Sequence, residues 1–443
     1  MPRIDKTLPR GSTVKGPPGQ LADNERSTMD DHTDKKGRIR RWPESGDFYR
    51  LWFIGALQYS VRWLDTLAIS IFAYQQTGSA FTVTMLALLR VLPSALFGMF
   101  TGMAADRFQG RTILFATLSI SWATSSLMAF LALNNQLAIW HLACAAFVGG
   151  TVWSSDIPLR RLLIGRVVGP DRIANAMALD AGTSNASRIA GPVVGGALFA
   201  AWGIGGCFAV GAALFFMALI VNIGFTYRHA SSGQARGPRL SRIPDSLRAV
   251  VREKAMAGFF AITIIYNMFC VPIVSLVPVI AHDHFQLGTG ATGLLASMDG
   301  VGALLGAVVL FLGAPPQLYA RIYVFSVAVY AVAALVFATA QHSLLAGAML
   351  VIAGMGTVGF SIMQSTLIFH GVRPEMRAVM LGLFTVTTGI APLGLLQIGV
   401  LAHAFGAQTA VLISAGEGLL AIVLTHRLWR HIRRDGSQIS PTT

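Results

Sequence analysis

The feature that most constrains this chain is a succession of long apolar runs, each about the length of a membrane-crossing helix. A bilayer core of about 30 Å is crossed by about 20 apolar residues of helix. Twelve such runs lie near 49–73, 81–104, 111–132, 136–157, 173–200, 204–226, 256–281, 291–313, 321–340, 343–369, 377–402 and 407–427. They are continuous rather than alternating, which disfavours a transmembrane β-barrel. Only 12% of residues are charged and 54% are hydrophobic, whereas soluble domains are about a quarter charged. A net charge of +14 could indicate a nucleic acid partner. The basic residues form no stripe, however, and lie in short gaps between the apolar runs.

Their distribution sets the orientation. Residues 1–50 carry eleven Lys and Arg, the gap after run 4 carries four, and the central gap carries seven. The gaps after runs 2, 8 and 10 and the C-terminal tail carry the rest, apart from Arg62, Arg90 and Arg188 inside runs. The gaps after runs 1, 3, 5, 7, 9 and 11 carry none. Positively charged loops stay cytoplasmic, so both termini are expected inside.

Residues 1–47 are polar and rich in Pro, Gly and mixed charge, and are expected to be a disordered cytoplasmic tail. They contain no apolar stretch suited to a cleaved signal peptide, so the first run is expected to be the insertion signal. Residues 227–255 form a polar linker whose segment 244–254 reads as a short amphipathic helix on the membrane surface. The linker separates 48–226 from 256–427, six runs from six, and 428–443 is a second cytoplasmic tail. GGALFAAWG (195–203) aligns with IGVLAHAFG (398–406) at an offset of 203, and PDRIA (170–174) with PEMRA (374–378) at 204. Pro192 and Pro392 fall in the corresponding runs. The expected fold is therefore an all-α membrane protein, with twelve transmembrane helices in two pseudo-symmetric six-helix bundles. Repeated halves with a site between them are the plan of secondary transporters.

Enzymatic and pump chemistries find no foothold. No glycine precedes any of the five lysines (Lys6, Lys15, Lys35, Lys36, Lys254), so there is no Walker loop for ATP. Cys144, Cys207 and Cys270 lie within runs at spacings that suit neither disulfides nor metal. No metal site, cofactor or nucleophile–base pair is expected.

The gap after run 2 reads GMAADRFQGR (102–111). Gly102 allows close helix approach, while Asp106, Arg107 and Arg111 can cap helix ends and pair across the cytoplasmic face. This resembles the loop signature of the major facilitator superfamily, with Gln109 and Gly110 departing from it. In run 5, Gly191, Pro192, Gly195 and Gly196 make a kinked, small-faced stretch suited to backbone-on-backbone packing. It is similar to the Gly-Pro motif of exporters in that superfamily. YRLWFIGALQYSVRWLDTLAISIFAYQQTGSAFTV, ALLRVLPSALFGMFTG and RPEMRAVMLGLFTVTTGIAPLG resemble the enterobactin-exporter and macrolide-efflux branch, over roughly 48–427. The resemblance implies the major facilitator fold and proton-driven export of a small amphipathic molecule, a siderophore or drug-like compound. It also implies an inner-membrane, monomeric protein whose partners are substrate, protons and lipid. An importer of a nutrient, or a non-transporting sensor or assembly protein, would share much of this pattern.

Each charge at mid-bilayer costs about 2.5–3.5 kcal/mol on insertion scales, so those inside runs need a reason. Arg62 and Asp65 lie three apart, on one helical face. They are candidates for proton coupling together with Arg90, Asp180, Arg188 and Asp299. Asp156 is expected to form a solvated pair with Arg160 at the cytoplasmic end of run 4, and Glu417 to be structural. In the resembled fold, runs 1, 4, 7 and 10 line the cavity, which makes Trp153, Tyr266, Asn267, Met363 and Gln364 candidate substrate contacts.

The orientation is tested with reporter fusions. A reporter joined after Arg430 should be active only in its cytoplasmic form, and one within 282–288 only in its external form. An external signal at Arg430 contradicts the assignment.

Overall fold

The computed structural model describes residues 46–107, 110–169, 172–225, 254–313, 315–371 and 387–429. The expected N-terminal tail up to residue 45, the linker with its amphipathic stretch up to 253, the PEMRA segment and residues 430–443 lie outside the described residues. Described secondary structure is helical throughout. In order come α1 (Gly46–Thr77), α2 (Ala80–Arg107), α3 (Gly110–Leu133), α4 (Ile139–Val168) and α5 (Ile173–Ile223). Next, α6 (Lys254–Ile265) runs through a π-helical turn (Tyr266–Cys270) and a 3-10 stretch (Val271–Leu276) into α7 (Val277–Asp283). The remainder are α8 (Thr289–Gly313), α9 (Tyr319–Thr339), α10 (Ser343–Gly371), α11 (Ala391–Phe405) and α12 (Ala407–Leu424). The end holding Gly46 is termed the base, and the end holding Thr77 and Asp283 the crown.

Helices are the form such apolar stretches must take, because lipid offers no partner to a free backbone N–H or C=O. Polar side chains within them obey the same need. Thr66, Ser70 and Thr77 each donate to the carbonyl four residues back, at 2.6–2.8 Å.

Among the described residues, eight helices are long and apolar enough to cross a membrane. One of them is two spans in one element. With 51 residues, α5 would be about 76 Å long if straight, more than twice the bilayer core. It turns at Gly203 (φ 63, ψ −166), a conformation that glycine adopts freely. Cys207 Sγ donates to the Gly195 carbonyl at 3.7 Å, although a straight helix would hold these residues about 18 Å apart. The arms 173–202 and 204–223 are thus a hairpin. Gly406 (φ 83, ψ 161) makes the same one-residue turn between α11 and α12.

Glycine contacts recur at that 203-residue interval. A Cβ at Gly191 would overlap Trp63 of α1, and one at Gly394 the Met268 carbonyl after α6. A Cβ at Gly196 would meet the Thr289 carbonyl of α8, and one at Gly399 would overlap Thr84 of α2. Each hairpin therefore grips one helix of its own half and one of the other. Pro192 lies inside α5, whereas Pro392 sits in the first turn of described α11, where its missing N–H costs nothing.

The first half (α1–α5) meets the second along antiparallel α5 and α8. Gly300 packs on the Arg188 carbonyl, Gly293 on Pro192, and Gly196 on Thr289, in sequence toward the crown. One apolar core is common to both halves: it includes Leu67, Ile71 and Phe208 of the first and Ile280 of the second toward the crown, and within the second half it extends to Tyr323 near the base end of α9. At the base, the first half has its own core of Phe48, Leu51, Leu114, Leu159, Leu219 and Phe225.

Two expected boundaries are corrected. The fourth run does not stop at 157, since α4 continues to Val168 and carries Arg160, Arg161 and Arg166 within it. The 102–111 stretch is not an open loop. Gly102, Asp106 and Arg107 belong to α2, Gly110 opens α3, and only 108–109 separate them. Gly110 lets α3 close onto Leu163 of α4.

The α5–α8 junction gives a direct test. Gly293→Ala overlaps the Pro192 carbonyl, whereas a Cβ at Gly290, on the same helix, meets nothing within 4 Å. Overpacking of this kind costs about 1–3 kcal/mol. Gly293→Ala should lower the thermal midpoint of the purified protein by several degrees, while Gly290→Ala leaves it nearly unchanged. Equal midpoints contradict the packing.

Candidate functional site

The buried charges of the first half form two groups along α1. The group toward the base centres on Arg160, whose side chain is fully buried. Its Nη1 donates to Asp180 Oδ1 at 2.5 Å and its Nε lies 3.5 Å from Asp156 Oδ2. Gln58 Nε2 donates to Asp156 Oδ1 at 3.0 Å, and the Tyr59 hydroxyl to Asp180 Oδ2 at 3.2 Å. The guanidinium stacks 4.6 Å from the Tyr59 ring centre. Gly55 makes this possible, because any Cβ there would overlap the Arg160 guanidinium. Arg161, half-exposed, reaches Asp180 Oδ2 at 3.7 Å. The expected solvated Asp156–Arg160 pair is therefore a desolvated one. Helix α4 continues past the assumed boundary at 157 and holds both residues against α1 and α5. Asp180, expected as a coupling acid, is a bound member of this network. Losing one partner of a buried pair costs about 3–5 kcal/mol, so the group reads as a structural clasp of α1, α4 and α5.

One to two turns toward the crown lies a cavity of about 70 Å³, space for several water molecules. All its walls come from the first half: Gln58, Arg62 and Asp65 of α1, Arg90 of α2, Ser121, Thr124 and Ser125 of α3, and residues of α4 and the second arm of α5. Arg62 and Asp65 share it but do not clasp each other. The Arg62 guanidinium lies over the Trp153 ring at 3.9 Å from its centre. Arg90 Nη2 donates to the Arg62 carbonyl at 3.3 Å, and its charge acts on Asp65. Asp65 Oδ1, Arg90 Nε and Gln58 Oε1 are buried without a protein partner. The face of α1 bearing these charges thus looks into the first half, not toward the second.

The junction between halves holds the third group. Arg188 of α5 donates through Nη2 to Asp299 Oδ2 of α8, and its guanidinium lies 5.6 Å from the Trp63 ring centre. Among the described residues this is the ion pair that joins the halves. Tyr266, Asn267, Met363 and Gln364, expected to line a cavity, are buried in the second half. Asn267 donates to the Thr263 carbonyl at 2.9 Å, Gln364 to Thr263 Oγ1 at 3.1 Å, and Tyr266 to Thr357 Oγ1 at 3.1 Å. Tyr266 also stacks on Phe360 at 4.0 Å. The expectation that runs 7 and 10 line the cavity does not fix which face of a helix a residue occupies, and these four occupy faces packed within the second half. Exposed Ser361 and Ser365 lie one turn apart on the same face of α10.

Glu417 of α12 accepts from Gln397 Nε2 of α11, in keeping with a structural place. The side chains of Gly102, Asp106 and Arg107 lie outside the described residues. Arg111 donates to the Ile223 carbonyl at 2.9 Å, closing the end of α5. Among the described residues no group of three or more His, Cys, Asp or Glu could hold a metal.

Sequence reasoning passed over Gln58 and the α3 hydroxyls. A signal existed for the latter, since Ser121, Thr124 and Ser125 fall at i, i+3 and i+4 in an otherwise apolar helix. The Asp156–Arg160 pair was expected, but not its burial, which depends on Gly55, over a hundred residues away.

The chain is 22% identical to macrolide efflux protein A of Streptococcus pyogenes over 396 residues, covering 87% of this chain and 96% of that protein. It is 18% identical to the staphyloferrin A transporter of Staphylococcus aureus, covering 78% and 86%. The fold is shared with the nucleoside transporter NupG (TM-score 0.71, 15% identity, covering 86% of this chain and 100% of that one). It is shared also with an inward-facing bacterial homologue of the human lysosomal transporter Spinster (TM-score 0.67, 16% identity, covering 90% and 100%). The model of the Major Facilitator Superfamily matches residues 51–395, and with most of its length so matched the chain belongs to that family.

Proposed function

We propose that this multi-pass transporter exports a small amphipathic molecule, a siderophore or drug-like compound, in exchange for protons. In this reading twelve spans form two six-helix halves, with both termini and the base on the cytoplasmic side of the inner membrane, and the protein works as a monomer. Counting twelve means dividing α5 at Gly203 and taking α1, with its charges, and the shorter apolar stretches of α2 and α11 as spans. The glycine contacts repeated at 203 residues support the two-fold arrangement.

The observation that carries the reading is the join along α5 and α8. Backbone contacts seal it from Arg188 toward the crown, while the base of the first half has a core of its own. Such a join suits halves that rock about a central contact and open alternately to either side. The Tyr74 hydroxyl donates to Asp283 Oδ2, tying α1 to α7 at the crown, as an outer gate would. Relatives named for macrolide efflux and staphyloferrin A transport favour export of an amphipathic solute. Asp65, in a cavity and free of a direct ion pair, is the acid assigned to carry the proton. Arg90 holds the charge balance when the proton leaves.

Everted membrane vesicles test the assignment. With an acid lumen, wild-type vesicles should accumulate a radiolabelled macrolide, and Asp65→Asn should abolish accumulation while leaving equilibrium binding within about twofold. Accumulation confined to right-side-out vesicles would indicate import, and coupled accumulation by Asp65→Asn would remove that residue from the mechanism.

A further inference from the structure

We propose that protons and substrate travel in separate compartments. Protons reach Asp65 along a polar column inside the first half, and substrate passes between the halves. This rests on the assignment of Asp65 as the coupling acid.

Three observations carry it. The cavity at Asp65 is walled only by the first half. Unpartnered buried atoms of Asp65, Arg90 and Gln58 belong to its wall, with the hydroxyls of Ser121, Thr124 and Ser125 beside them. A buried polar atom without a protein partner is costly, and a cavity with several such atoms on its wall is a site for ordered water. Finally, the cavity abuts the clasp. Gln58 turns its amide N–H₂ to Asp156 and leaves Oε1 for the cavity. Asp156 leads to Arg160, Asp180 and half-exposed Arg161. Asp65 and Gln58 are about 10 Å apart along α1, a span that two or three waters bridge.

Chemically, the Asp65 carboxyl gives its proton to the adjoining water. Successive transfers through the water deliver that proton to the Asp156 carboxylate, which lines the base end of the same cavity, and leave Asp65 as a carboxylate facing Arg90. Reloading runs the same steps in reverse. Gln58 is a positioning residue that anchors the chain without itself exchanging a proton. The charged and titratable groups facing Asp65 are Arg62 on its own helix, Arg90 on α2, Asp156 on α4 and Cys207 on α5; α3 contributes hydroxyls only. Both arginines disfavour a metal cation, which leaves the proton as the ion this site suits.

Gly149 offers a plug. It lines the cavity, and a Cβ there meets nothing within 4 Å, so the side chain added by Gly149→Leu starts into open space and takes up water volume. Gly416→Leu, equally unhindered but on α12, is the control. Gly149→Leu, Gln58→Leu and Asp65→Asn are compared for acid-driven macrolide accumulation in everted vesicles and for gradient-free macrolide exchange in proteoliposomes. Interrupting a proton relay should slow driven accumulation at least about tenfold in all three, with exchange near the wild-type rate and the control normal in both. Normal exchange also certifies that each variant is folded. If Asp65→Asn is uncoupled but Gly149→Leu and Gln58→Leu accumulate normally, the route through the cavity is overturned and the coupling acid stands. If Asp65→Asn remains coupled, the underlying assignment falls. If Gly149→Leu or Gln58→Leu loses driven and exchange transport together, proton and substrate share a compartment and the proposal is wrong.

Discussion

An ionised side chain in hydrocarbon must bring a counter-charge, a hydrogen-bonding shell or water with it. Nearly every polar feature of this transporter answers that constraint. The first half holds Arg62, Arg90 and Arg160 against Asp65, Asp156 and Asp180, and Arg188 faces Asp299 across the junction. The charges balance, but their environments differ. Arg160 has two carboxylates and an aromatic face, which fixes three helices together. Arg62 is held by an aromatic ring and Arg90 by a carbonyl, which leaves Asp65 with a nearby charge but no clasp. Rigidity and reactivity are thus separated by about two turns of one helix.

Glycine supplies the complementary constraint. Two helical hairpins turn on single glycines with positive φ, and glycines at one interval bring those hairpins against a helix of each half. Close backbone approach maximises dispersion contacts where no hydrophobic force drives helices together. In the proposed alternating access, these close contacts and the central ion pair are where the halves would rock.

Much of this was legible in the sequence. Continuous apolar runs gave the helices, and the 203-residue alignment ended on Gly203 and Gly406, the two turning residues. The Gly-Pro stretch of α5 does pack backbone on backbone. What sequence could not show was phase and depth. Helix α4 runs eleven residues beyond its expected end at 157, because a clasp buried in the bundle stabilises arginines that composition assigns to a loop. Tyr266 and Asn267 belong to the second half's core, on a face of their helix that an apolar run does not single out. Arg62 and Asp65 do share one face of α1, yet the Arg62 guanidinium lies over the Trp153 ring instead of clasping the carboxylate. Such choices depend on neighbours far away in the chain, which a local pattern cannot see.

The central claim is that the halves move about the α5–α8 join, closed at the crown in the conformation described. Spin labels at Gln76→Cys and Gln341→Cys, exposed positions at the crown of either half, report on it once exposed Cys144 is replaced by Ser. Pulsed dipolar spectroscopy in nanodiscs should resolve two separations, with the longer one gaining population as pH is lowered or a macrolide is added. A single separation, unmoved by protons and by macrolide alike, would contradict the account.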